Sequence, residues 1–393
     1  MIDKALLSAI MMLLTLSLVM SYSLSTYAVL HFEYVDYHFF IRQCVGVLGG
    51  FSIIILLSKL DPDRWFIPLG FTLFILFALL IILMQFFSTS WVSDVGGAKR
   101  WIDLGVVRLS PVEFFKVGFV FFLAWSLSRK FIERTSMGFF EEVRAFSPYL
   151  FLFFISVIFI AILQKDLGQV IVLGGTLLIL FLFVGSSLKF FFSLIIIAFS
   201  GFAGLILYAP HRLIRIKEWW AMVQDSVLAF LPFESVENLR VAIEKEPYQI
   251  SNALNAIHNG GMFGTGLGNG QFKLGYLSDV HTDFILAGIT EELGFFGLGV
   301  VSLILLFVVY RIFQIAAKVK NPLYYLFSIG VGLLIAFSFL LNAYGIAGIT
   351  PIKGIAVPFL SYGGSHILAS SIAIGMVLMV SKKVSRDCYG CMV

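Results

Sequence analysis

The stretch FIPLGFTLFILFALLIILMQFF, Phe66 to Phe87, runs for 22 residues without a charge. As a helix rising about 1.5 Å per residue it would be about 33 Å long, enough to cross a hydrocarbon layer of about 30 Å. In water such a run would need a polar shell around it, and the rest of the chain has none to give. Of its 393 residues, 60% are hydrophobic and 13% charged, where an ordinary soluble domain is about a quarter charged. The mean hydropathy is +0.98. Lipid is therefore the solvent for most of this chain.

Working outward from that stretch, nine more apolar runs are marked: Ala5–Leu30, Phe39–Ser58, Val112–Leu127, Pro148–Leu163, Gln169–Val184, Phe190–Tyr208, Phe284–Tyr310, Leu323–Leu341 and Ile367–Val380. Lipid offers no partner to open backbone groups, so each is expected to be a helix. The expected fold is an all-α integral membrane protein with about ten transmembrane helices. Residues 1–393 form a single polytopic domain, with one large extracytoplasmic loop, 209–283, between helices 7 and 8. Ala5–Leu30 exceeds a signal-peptide core and reads as the first span. The net charge of +4 is scattered between spans and gives no case for nucleic acid.

An even number of spans puts both termini on one side. That side gathers Lys4, Lys59, Arg64, Arg129, Lys130, Arg134, Arg144, Lys189, Arg311, Lys318, Lys320, Lys382, Lys383 and Arg386. The short loops opposite hold Lys99, Arg100, Arg108, Lys165 and Lys353. The excess marks the first side as cytoplasmic, the long loop being discounted. Cys44 falls in a span, where a small buried hydrophobe is the plain reading. Cys388 and Cys391 make one CxxC in the tail, a weak basis for zinc or redox chemistry without a second pair.

Ionisable groups in or beside spans are costly and are usually paired or functional. Arg100, Glu113, Lys116, Asp166, Asp283 and Glu291 stand out on that ground. Asp283 lies where the long loop enters the eighth span. Desolvation there would make it a better base, or it could hold a divalent cation against a pyrophosphate. Equally, it could simply complement a helix start. Glu291 falls near the face of Asp283 and Glu292 opposite, so one of them is expected in a buried ion pair. Glu113 and Lys116, spaced i, i+3, can touch. Arg100 beside Trp101 reads as a phosphate ligand or an interfacial anchor, and Lys165-Asp166 as a local ion pair. The glycine-rich run from Gly260 to Gly270 is either a set of amides for a lipid pyrophosphate or a flexible link. These features suit a transporter almost as well as an enzyme.

Several blocks then resemble one family. They are GAKRWIDLG (97–105), SPVEFFK (110–116), QKDLG (164–168), Tyr248-Gln249, the glycine run, HTDFI (281–285), EELG (291–294) and PFLSYGGS (358–365), in order along nearly the whole chain. They resemble the SEDS family (shape, elongation, division and sporulation) of membrane glycosyltransferases. The resemblance implies polymerisation of lipid II into β-1,4-linked glycan, with release of undecaprenyl pyrophosphate. It places the essential acid at Asp283, as base or as ligand of a divalent cation (Mg or Mn). It marks Arg100, Arg212, Arg215 and Lys353 as candidate substrate-binding residues. Glu113, Lys116, Asp166 and Glu291 are candidate structural or activating residues.

Leu267-Gly-Asn269 and Lys353-Gly354 resemble the division branch rather than the elongation branch. The implied partner is a class B penicillin-binding transpeptidase, together with other division proteins. The implied location is the bacterial cytoplasmic membrane at the septum. A lipid II flippase, an elongation polymerase and a scaffold are the alternatives. The chain departs from the family pattern at His366 (usually Ser or Thr), Lys165 (usually Pro), Val112 (usually Ser) and Glu218-Trp219-Trp220.

Overall fold

The computed structural model describes residues 2–31, 33–87, 91–94, 97–103, 105, 108–130, 137–228, 240–241 and 248–390. Its helices are α1 (Lys4–Leu24), α2 (Thr26–His31), α3 (His38–Lys59), α4 (Pro62–Leu83), α5 (Pro111–Lys130), α6 (Phe139–Val157), α7 (Leu167–Phe183), α8 (Leu188–Leu207), α9 (Pro210–Leu228), α10 (Tyr248–Gly260), α11 (Ile285–Ala317), α12 (Pro322–Ile346) and α13 (Gly364–Gly390). Among the described residues nine helices are long and apolar enough to cross a membrane, and α7, at 17 residues, is a shorter apolar helix. Their starts follow capping chemistry. Asp3 accepts from Leu6 N at the head of α1, and Asn321 accepts from Leu323 N ahead of Pro322 at the head of α12.

Helices α5, α12 and α13 bury most of their surface and form the centre, while α4 and α8 stay largely open to lipid. Lipid tails are as apolar as leucine, so helices in a bilayer are held by close packing rather than by exclusion from water. Glycine supplies the approach between α4 and α5: a Cβ on Gly118 would stand 2.4 Å from Phe74 N. Phenylalanines fill the remaining space, as in the stacked Phe77–Phe114 pair at 4.5 Å and the edge-on Phe66–Phe327 pair at 5.0 Å.

Four features depart from the sequence reading. The first run, read as Ala5–Leu30, divides into α1 and α2. The loop after α4 contains a three-stranded antiparallel sheet of β1 (Val92–Asp94), β2 (Lys99–Asp103) and β3 (Arg108–Leu109). Its Val92 and Ile102 bury against Met84 at the end of α4, so the chain leaves the bundle with its backbone paired. Within the long loop, α9 and α10 are regular helices. Helix α9 joins Arg212, Arg215 and Lys217 to Trp219 and Trp220, the make-up of a helix lying along an interface. Finally, α11 is broken at Gly294, whose φ and ψ are 74° and −179°. The sheet, α9, α10 and the loops around 165 and 354 gather at one end of the bundle, called here the site end.

Candidate active site

Asp283 lies on the turn that precedes α11. Three successive carbonyls of this turn are each taken by a donor from another element. Tyr362 N donates to His281 O at 2.9 Å, Ser361 Oγ to Thr282 O at 2.7 Å and Asn342 Nδ2 to Asp283 O at 2.7 Å. Asn342 Nδ2 also donates to Ile355 O at 2.6 Å, tying the turn to the loop after α12. The Asp283 carboxylate lies over Gly354, where an added Cβ would stand 2.9 Å from Oδ2. Among the described residues neither carboxylate oxygen accepts a hydrogen bond. Burial first, then the charges of Asp279 and Asp166, raise its pKa to about 6, against the opposing pull of Arg100. Burial lowers the neighbouring His281 to about 4. Its ring, packed edge-on against Phe39 and Tyr362, is therefore neutral at pH 7.

Arg100 extends from β2 and donates to Gln164 O at 2.7 Å and Lys165 O at 2.9 Å. It braces the loop between α6 and α7, which the sequence alone did not show. Asp166 caps α7 through Gln169 N at 3.3 Å. Burial raises its pKa, with Arg100 as the first opposing charge. The expected local Lys165–Asp166 pairing thus gives way to a cap that faces Arg100. Behind it, Lys116 Nζ lies 2.9 Å from Glu113 Oε2 and 2.6 Å from Gln169 Oε1. Gln169 Nε2 donates to Glu113 Oε1 at 2.9 Å, and His366 Nδ1 lies 3.1 Å from Oε2. The pair read from i, i+3 spacing is the centre of a buried four-residue cluster joining α5, α7 and α13.

The basic candidates divide into two kinds. Arg212, only 8% exposed, donates to Leu205 O at 2.9 Å and to Ala161 O at 2.5 Å. Ala161 belongs to the π-helical turn Ile158–Leu163 that ends α6, where wide winding leaves carbonyls to be answered. Arg212 thereby staples two helix ends together. Arg215 is exposed. Lys353 Nζ lies 5.6 Å from the Phe202 ring centre, and its pKa is lowered to about 8 by burial and by the charges of Arg215 and Arg212.

The glycine-rich run packs against the start of α11. Thr265 N and Gly266 N donate to Glu291 O and Glu292 O at 2.9 and 3.0 Å, and Phe295 N and Phe296 N donate to Gly261 O and Met262 O at 2.9 and 3.1 Å. The run fills the break in α11, and those amides are unavailable to an anion. Glu291 Oε1 accepts from Gln271 N, Phe272 N and Asn259 Nδ2 at 2.6, 3.0 and 3.0 Å. Glu292 pairs with Lys273 at 2.7 Å in full burial, and Ser23 of α1 donates to it. Both acids seat the loop on the helix.

Comparison with known proteins adds to this geometry. The sequence profile of the FtsW, RodA and SpoVE cell cycle proteins matches residues 4–386. The chain belongs to this family. A probable peptidoglycan glycosyltransferase FtsW of Helicobacter pylori is 48% identical, covering 97% of this chain and 98% of its own. Another, from Shewanella sediminis, is 32% identical over 96% of this chain and 86% of its own. Stage V sporulation protein E of Bacillus subtilis is 31% identical over 97% of each. Among solved structures, the rod shape determining protein RodA of Thermus thermophilus superposes with a TM-score of 0.64 at 22% identity, over 97% of each chain. A chain from a peptidoglycan synthase complex that coordinates polymerisation and crosslinking gives 0.67 at 22%, over 98% of this chain and 99% of its own. These two structures share the fold.

In this FtsW/RodA/SpoVE member, sequence reasoning passed over Asn342, Ser361, Gln169 and Lys273. Three of these are uncharged, and a search for ionisable groups in spans does not register them. Two departures from the family pattern gain a physical meaning. His366 adds a third partner to Glu113. Lys165 adopts φ 54°, which a proline ring cannot, so the backbone path here differs from that of a proline-bearing relative. Among the described residues no three His, Cys, Asp or Glu side chains converge. The side chains of the tail CxxC, Cys388 and Cys391, lie outside the described residues.

Proposed function

We propose that this chain is a peptidoglycan glycosyltransferase that polymerises lipid II into glycan strands for the division septum. The observation that carries this reading is the Asp283 carboxylate. It is half-buried, accepts no hydrogen bond among the described residues and is raised to about 6, while its backbone is held at three consecutive carbonyls. A base works best with a pKa near the working pH. The acceptor sugar hydroxyl attacks the anomeric carbon of the growing chain. The bond from that carbon to the pyrophosphate oxygen breaks, Asp283 takes the hydroxyl proton, and undecaprenyl pyrophosphate leaves.

Of the four basic candidates, Lys353 and Arg215 are proposed to meet the departing charge, since Arg212 and Arg100 bind main-chain carbonyls. A magnesium-type ion needs one or two carboxylates plus phosphate oxygens rather than an all-protein cage. In place of the base role, the Asp283 carboxylate would fit that of a ligand, and such an ion would supply positive charge to the leaving pyrophosphate. The whole chain acts as one polytopic unit, with the site end facing outward and both termini cytoplasmic. A class B penicillin-binding transpeptidase is the expected partner, because uncrosslinked strands need a second enzyme.

The test is glycan formation from purified lipid II by the chain with its cognate transpeptidase, the latter blocked in crosslinking by a β-lactam. A ladder of glycan strands is expected. Transfer of fluorescent lipid II across vesicles without any glycan would overturn the reading in favour of a flippase.

A further inference from the structure

From Asn259 to Gly270 the chain carries no charged residue. Four backbone hydrogen bonds across the break in α11 answer the groups that the break frees, the carbonyls of Glu291 and Glu292 and the amides of Phe295 and Phe296. That is the condition under which non-helical backbone can lie at the edge of hydrocarbon. Between the two sets of bonds project Met262 and Phe263, 62% and 85% exposed. Beside them Phe295 and Phe296 are 59% and 68% exposed, and the exposed row continues along α11 through Val300, Leu303 and Phe307. The tip of the glycine run is thus continuous with the lipid-facing side of a membrane-crossing helix.

Depth follows from helix geometry. Arg311 marks one edge of the apolar part of α11. Counting back about 30 Å at about 1.5 Å per residue is about 20 residues, which reaches Glu291. The break at Gly294 lies at the opposite edge, and the tip lies beside it. In water, two such side chains would forgo the transfer into an apolar medium that favours them.

We propose that Gly261–Gly266 is a re-entrant finger whose tip, Met262 and Phe263, inserts among the lipids of the leaflet on the site side. The glycines serve the close approach. Gly264, at φ 81°, has no room for a Cβ, which would stand 2.2 Å from Glu292 O. The finger fixes the depth of the first turns of α11, and with them Asp283, relative to the bilayer. Its value for a lipid-borne substrate rests on the glycosyltransferase reading, whereas the insertion itself does not.

The test places a nitroxide label at Phe263→Cys in the full chain with Cys44, Cys388 and Cys391 changed to Ser, reconstituted in phosphatidylethanolamine–phosphatidylglycerol nanodiscs. Collision with oxygen and with a water-soluble nickel chelate is read by power-saturation spectroscopy. Leu303→Cys is the lipid control, and Asn255→Cys on the exposed side of α10 is the water control. The label at 263 is expected to match Leu303, open to oxygen and several-fold less open to nickel than Asn255. Nickel access equal to Asn255 would put the tip in water, free for a protein partner, and would overturn the proposal. Exclusion of both reagents would mean burial within the protein and would overturn it equally.

Discussion

Burial and the charge of Asp279 raise the Asp283 carboxyl to about 6. Only the ionised form can take a proton, so polymerisation should rise with pH through that value. Asp279→Asn removes one repelling charge and should move this limb to lower pH. Asparagine suits the φ of 53° at this position, so the turn should persist. A pH–rate profile checks this, and an unmoved limb would count against Asp283 as the base. Asn342→Ala leaves the carbonyls of Asp283 and Ile355 without their donor. The expected cost is about 1–3 kcal/mol of stability, with kcat lowered far more than KM. Steady-state kinetics beside thermal unfolding in detergent separates the two effects. At this scale the sequence revealed Asp283, because a carboxylate at a membrane surface is costly enough to be conspicuous. It did not reveal Asn342 or Ser361. An amide or hydroxyl costs little near a span, and their partners, Asp283 and Thr282, lie 59 and 79 residues away.

Elements were legible where one physical rule set them. The apolar runs of about 20 residues could be only helices, and they became α1 to α8 and α11 to α13 with moved ends. Helix α6, for instance, begins at Phe139 rather than Pro148, with Pro148 inside it. The break in α11 was not legible, because the apolar run continues through Gly294 and the groups that complete it come from the glycine run in another part of the chain. Gly264→Ala should detach that run, since strain at φ 81° adds to the overlap with Glu292 O. Faster proteolysis between α10 and α11 and loss of glycan synthesis would show it, whereas unchanged proteolysis would contradict the packing. The Glu113 cluster makes a second prediction. Lys116→Met leaves a buried carboxylate without its ammonium partner. It should cost about 3–5 kcal/mol of stability, read as a lower unfolding temperature. Replacing Glu113 as well, with Gln, should restore much of the loss.

Over the whole molecule, composition alone fixed lipid as the solvent, and the order of the motif blocks pointed to the family whose profile matches residues 4–386. What composition could not show is which of the many charges at the site end hold the scaffold. Arg100, Arg212, Glu291 and Glu292 all bind main-chain groups or one another's neighbours. Of the candidates read from the sequence, Asp283, Lys353 and Arg215 are the ones proposed to meet the substrate. The most direct measurement is glycan synthesis from purified lipid II by the native chain and by Asp283→Asn, each with its transpeptidase and each shown to bind that partner. Glycan from the native chain and none from Asp283→Asn is the expected result. Equal glycan from both would remove Asp283 from the chemistry.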